Sequence, residues 1–277
     1  YPLYDYRPTK AGAVIFCLLF VATTGFHLWQ MIRRRSWFMT ALVVGGAMEF
    51  IGYACRAASA SQPFNQYTLM PFAIQNSNML LAPSLFAASI YMVLGRIIQL
   101  TDGESRSPIT RRLLTKAFVY GDILCLGVQG GGGGMSTAAV FSSTKGGDTS
   151  VLAAPGKALT IFGLVAQLIA FAGFIGTAAV FQKRMARSPT PASLEADVSQ
   201  CWRRYMRVLY AASMLIMVRN IVRVVEFCEG LDGYIITHEA FLYFFDALLM
   251  FVALVALNVV HPGELGVLLR QRHRSTS

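Results

Sequence analysis

The chain has 277 residues and a formal charge of +10, is 55% hydrophobic and only 14% charged, and so carries more apolar surface than one water-soluble core of that length buries. This excludes an ordinary soluble domain and requires burial in lipid. The positive charge does not point to a nucleic-acid partner, because the basic residues fall in short runs at the ends of apolar segments, not along a groove or helix face.

A membrane crossing takes about 20 apolar residues at a rise of about 1.5 Å each. The opening segment, Tyr1 to Lys10, is polar and aromatic, shows no signal peptide, and its lack of an initiating Met implies residues upstream. Seven segments of crossing length follow: 11–32, 38–59, 72–98, 116–141, 157–181, 205–227 and 238–260. They predict an all-α polytopic membrane protein, a single seven-transmembrane-helix bundle occupying residues 1–277. The longest connection, 182–204, contains Ser188-Pro189-Thr190-Pro191 and reads as a flexible cytoplasmic loop; 261–277 reads as a basic cytoplasmic tail.

Orientation follows from the positive-inside rule. Of 24 Lys and Arg residues, sixteen fall on one side, in the runs around Arg33–Arg35, Arg106–Lys116, Lys183–Arg207 and Arg270–Arg274, and only Arg7, Lys10, Lys145 and Lys157 fall on the other. An odd helix count with this bias gives an external N-terminus and a cytoplasmic C-terminus.

Two helices carry irregular residues. Pro83, inside the third segment, lacks an amide hydrogen and frees a carbonyl that a neighbour or water must satisfy. The fourth contains Gly130 to Gly134, and Gly127 with Gly131 makes a GxxxG spacing that predicts close helix packing, with a gating hinge as the alternative. No Gly-Lys-Ser/Thr follows the glycines, so they are not a phosphate loop, and no ATP-driven pump is expected.

Ionisable side chains at bilayer depth cost several kcal/mol unless paired or hydrated, which makes their placement informative. Glu49 and Arg56 lie two turns apart on the second helix with Tyr53 between them. Arg219, Arg223 and Glu226 form a stripe on the sixth, and Glu239, Tyr243 and Asp246 share one face of the seventh. Gln75, Asn78, Asp122, Gln129 and Gln167 add polarity on the third to fifth. Most of these groups fall in the outer half of the bilayer, and they predict either an outward-facing polar cavity or a structural salt-bridge network.

Other chemistries find little support. His27 and His261 belong to the cytoplasmic end and His238 to the other, so they cannot share one metal, and no Ser-His-Asp arrangement is readable. The five cysteines have no CxxC pair and no metal-ligand spacing, and predict neither a disulfide framework nor a zinc site; a Cys55–Cys228 bridge near the outer face is the minor alternative.

At these residues the chain resembles the fungal lipid-translocating exporter family, seven-span proteins that include the aminocholesterol-resistance proteins and the sphingoid long-chain-base exporter. The landmarks are Glu49-Phe-Ile-Gly-Tyr-Ala-Cys-Arg56, Leu81-Ala-Pro-Ser-Leu-Phe with Tyr91 and Arg96, Asp122 with Gln129-Gly-Gly-Gly, Gly163-Leu-Val-Ala-Gln167, Arg219-Asn-Ile-Val-Arg-Val-Val-Glu226, His238-Glu239 with Tyr243 and Asp246, and His261-Pro-Gly263. Their order and spacing cover essentially the whole membrane region. The resemblance implies a fungal plasma-membrane protein that moves, or protects against, amphipathic lipids and lipophilic toxicants. It supplies no catalytic signature, cofactor or metal. The glycosylated outer segment of many members has no counterpart here, since no Asn-x-Ser/Thr sequon occurs.

The expected activity is therefore transport of a sphingoid-base-like amphiphile or lipophilic small molecule, with membrane lipids as partners. The expected headgroup site is Glu49, Tyr53, Arg56, Gln75, Gln129, Arg219, Arg223, Glu226, Glu239, Tyr243 and Asp246. Such a site implies that Asp246→Asn and Glu239→Gln weaken export with little loss of stability. A seven-helix lipid sensor signalling through the basic loops is the alternative, and a membrane-embedded lipid enzyme a more remote one.

Overall fold

The computed structural model describes residues 8–63, 67–143, 150–230 and 233–275. All regular structure among them is helical. Helix α1 spans Lys10–Arg34, α2 Thr40–Ala60 after a 3-10 turn at Trp37–Met39, α3 Leu69–Leu100, α4 Arg111–Ser143, α5 Ser150–Arg187 and α6 Ala196–Glu229. The next helix, α7, is assembled from Glu239–Leu242, a π-helical segment Tyr243–Leu248 and Leu249–Val259; α8, Gly263–Ser275, extends from its end.

Among the described residues six helices are long and apolar enough, by length and composition, to cross a membrane: α1, α2, α3, α5, α6 and the α7–α8 run. Helix α4, the fourth segment read from sequence, is 33 residues long but is not among them. Its five consecutive glycines, with Asp122 and Gln129, contribute length without hydropathy. Helix α3 is the axis of the bundle, with 78% of its most apolar stretch buried against 22–39% for the other five. Large apolar side chains instead cover the outside: Leu18 of α1 is 63% exposed, Leu124 of α4 71% and Ile169 of α5 67%. That distribution suits a hydrocarbon surround, which rewards neither hiding nor displaying leucine.

The apolar segments locate the helices and understate their length. Residues 182–204 are not one flexible connection, because α5 continues to Arg187 and α6 begins at Ala196. Gln, Lys, Arg and Met are strong helix formers that carry a helix past its apolar part. Between them Pro191–Leu194 makes a single turn capped by Thr190, whose Oγ1 accepts from the Ser193 amide at 3.3 Å and donates to the Thr101 carbonyl at the end of α3.

Close packing of α4 on α5 does use glycine, but not the predicted pair. Nothing lies within 4 Å of a Cβ placed on Gly127, and only a leucine methyl approaches one on Gly131. The contact runs through Gly132, Gly156 and Gly163, where a Cβ on Gly132 would collide with Thr160 Oγ1 and lie 2.6 Å from the Gly156 carbonyl oxygen. Counting spacings within one helix could not reveal which face meets α5. Gly156→Val is expected to cost about 1–3 kcal/mol through overpacking, read as a lowered melting temperature, whereas Gly127→Ala should leave it unchanged or higher.

Candidate functional site

The proline in α3 sets the position of the first charged group. Pro83 has no N–H, so the carbonyl four residues earlier, on Met79, has no intrahelical donor. Arg219 of α6 supplies one: its Nη2 donates to that oxygen, while Nε donates to Asp246 Oδ1 of α7 at 2.7 Å. One guanidinium thereby ties three helices together, at a residue only 2% exposed.

Asp246 also receives the second arginine of the α6 stripe, with Arg223 Nη2 3.3 Å from Oδ2. Arg223 turns its other nitrogen to Glu226, 3.1 Å away one turn on. Glu49 of α2 lies within electrostatic reach of Asp246, Arg219 and Arg223. It is wholly buried, and among the described residues neither of its oxygens has a hydrogen-bond partner.

The remaining pair lies toward the start of α7. Arg56 of α2, also wholly buried, places Nη2 2.7 Å from Glu239 Oε1 and donates through Nε to the Tyr243 hydroxyl at 3.2 Å. Glu239 is gripped from a third direction by the Thr9 amide at 2.8 Å and the Thr9 hydroxyl at 2.5 Å, and Tyr243 donates to the Thr9 carbonyl. Tyr53 is stacked below, its ring 5.4 Å from Phe20 and 6.4 Å from Tyr243, with its hydroxyl buried and unpartnered among the described residues.

Of the eleven residues expected to form one site, seven fall into these two linked ion-pair groups, with Glu49 beside one and Tyr53 beside the other where they adjoin. Gln129 belongs elsewhere. Its amide donates to Gln167 at 2.8 Å, and Gln167 donates to Ser84 at 2.7 Å, a polar chain across α4, α5 and α3. Gln75 is buried on α3. Glu239 and Asp246 do not share a partner as seven residues of straight α-helix would suggest. The π-helical segment Tyr243–Leu248 winds more widely and shifts the angular register between them.

Sequence reading missed Thr9, which stands before the first crossing, and Asn258, which bonds Thr23 at 2.5 Å through its side chain. The Thr-Lys junction carried no signal for Glu239; Asn258 was visible as a lone amide in an apolar run. The rings of His27 and His261 do meet, 5.9 Å apart, at the far end of the bundle. Among the described residues no three His, Cys, Asp or Glu side chains gather as metal ligands, and Cys55 and Cys228 are not bridged.

A bundle with apolar side chains outside and paired charges inside defines an integral membrane protein. The family model described as RTA1 like protein matches residues 42–267, and the chain belongs to that family. It is 33% identical to Protein RTM1 of Saccharomyces cerevisiae, over 93% of this chain and 90% of that protein. It is 32% identical to Protoporphyrin uptake protein 1 of the same yeast, over 93% and 91%. With the yeast Sphingoid long-chain base transporter RSB1 it shares 26% identity over 86% of this chain and 67% of the other. No solved structure matches it significantly.

The pairing changes what Asp246→Asn should do. That substitution strands part of the charge of two buried guanidiniums and is expected to cost about 3–5 kcal/mol, so the expectation of near-normal stability no longer applies to it. Glu49→Gln removes a buried carboxylate that holds no hydrogen-bond partner among the described residues and should leave the melting temperature equal or higher. Thermal unfolding of the two variants in detergent gives the comparison, and equal losses would contradict the charge assignments.

Proposed function

We propose that this protein translocates an amphipathic lipid or lipophilic small molecule across the fungal plasma membrane, using neither an ATPase domain nor an enzymatic step. Two relatives are named for such cargo, one for a sphingoid long-chain base and one for protoporphyrin. The reading includes seven crossings in one membrane domain, α4 being the additional one, with the N-terminus outside. The excess of Lys and Arg on one side of the chain supports that orientation.

The observation that carries the reading is the Arg56–Glu239 pair, whose carboxylate side chain is 13% exposed while its guanidinium is 1% exposed. A cationic amine entering from outside meets Glu239, displaces Arg56 from it, and then approaches Asp246 one level deeper. Each carboxylate exchanges one cation for another and is never left bare in hydrocarbon, which keeps the barrier low. The hydrocarbon tail stays among apolar side chains or lipid. A sphingoid base has the charge and shape for this route. The π-helical segment of α7, between the two acidic levels, is placed to absorb the accompanying rotation.

Glu239→Gln tests the exchange. Arg56 keeps its bond to Tyr243 and the glutamine oxygen still accepts from it, so the melting temperature should fall less than in Asp246→Asn, while transport of a labelled sphingoid base into or out of liposomes should fall about tenfold, the equivalent of one charge-assisted hydrogen bond. Normal transport by the stable variant would remove Glu239 from the route. Binding of the base without any transport by the wild-type protein would favour the sensor. For orientation, a cysteine replacing Asn65 should react with an impermeant reagent outside intact cells and one replacing Ser188 should not; the reverse would invert the topology.

A further inference from the structure

The arginines at the opposite end of α1 take no part in the network above. Helix α1 closes on Arg33, Arg34 and Arg35, with Arg35 in the left-handed conformation at φ 49°. Helix α8 returns beside it, and Arg270 donates to the carbonyls of Arg34 at 3.0 Å and Arg35 at 3.1 Å, satisfying helix-end acceptors. The four arginines, with Trp29 and Val267, line a cavity of about 390 Å³. One carboxylate reaches the group, Glu264, 3.3 Å from Arg34. Among the described residues none pairs with Arg33, Arg35 or Arg270.

We infer that this cavity is a binding site for the phosphate headgroup of an anionic phospholipid in the adjoining leaflet. Guanidinium forks match phosphate oxygens in pairs, and a basic pocket between helices at the membrane surface suits a lipid headgroup. The lining also explains why the phosphate arrives attached to acyl chains. Trp29 is 50% exposed, Phe26 stacks on it at 5.5 Å, and Leu18 and Ile32 continue the exposed apolar strip along α1. Arg33 lies 5.0 Å over the Trp29 ring, joining strip to cavity. A soluble phosphate would use the arginines and leave the strip idle. The site is independent of the transport reading.

The test uses the full chain in phosphatidylcholine vesicles with spin-labelled phosphatidylserine or phosphatidylcholine as probe. The wild type should hold the serine lipid over the choline lipid by on the order of fivefold. R33Q/R35Q, which strands no carboxylate, should bring that ratio close to one; if this double variant does not fold, Arg33→Gln alone should reduce it. R184Q/R187Q removes the same charge from the end of α5, away from the cavity, and should keep the preference. Retention of the preference by folded R33Q/R35Q, or by folded Arg33→Gln where the double variant is lost, would overturn the site. Equal loss in R184Q/R187Q would reduce it to diffuse surface charge. Displacement of the labelled lipid by soluble glycerol 3-phosphate would overturn the commitment to lipid.

Discussion

A guanidinium inside a bundle surrounded by hydrocarbon has to occupy its donors, and Arg219 does so by reaching two helices at once. Its partner on α3 exists only because Pro83 withholds an amide hydrogen from Met79, and its partner on α7 is a carboxylate that cannot be buried without a cation. Three awkward groups become mutually satisfied. The relative placement of α3, α6 and α7 follows from that, and with it the depth at which Asp246 and Arg223 lie.

The two ion-pair levels differ in a way that bears on transport. Asp246 is held by two arginines and is 4% exposed, so it is as much a strut as a binding group. Glu239 is held by Arg56 of α2 and by Thr9 ahead of α1, at the end of α7, with Tyr243 bonded to the same two residues. Changing the upper contacts rearranges chain ends, whereas changing the lower ones disturbs the bundle. In the proposed route the cargo meets the more yielding level first. At the other end of α1 the electrostatics are opposite in kind, an excess of one sign around a cavity in place of balanced pairs.

Much of this was legible in the sequence because hydrocarbon imposes simple demands. Apolar length located the helices, and the cost of buried charge singled out Arg56, Arg219, Arg223, Glu239 and Asp246 before any partner was known. Pro83 even announced a free carbonyl. Pairing was not legible, since it depends on which helix faces meet and at what height. Gln129 looked like its neighbours in polarity yet joins Gln167 and Ser84, and the glycines that touch α5 are not those of the GxxxG spacing. The π-helical segment defeats the seven-residue rule for Glu239 and Asp246, because no residue in Tyr243–Leu248 declares a wider turn.

The bond between Arg219 and the Met79 carbonyl spans 140 residues of chain. A ribosome adding about 5–20 residues per second needs roughly 7 to 30 s to cover that distance. Throughout that interval α3 has been synthesised with an acceptor that its own backbone cannot fill. During biogenesis the third helix is thus an incomplete transmembrane segment, one that water or the insertion machinery must shelter until the sixth arrives to finish it.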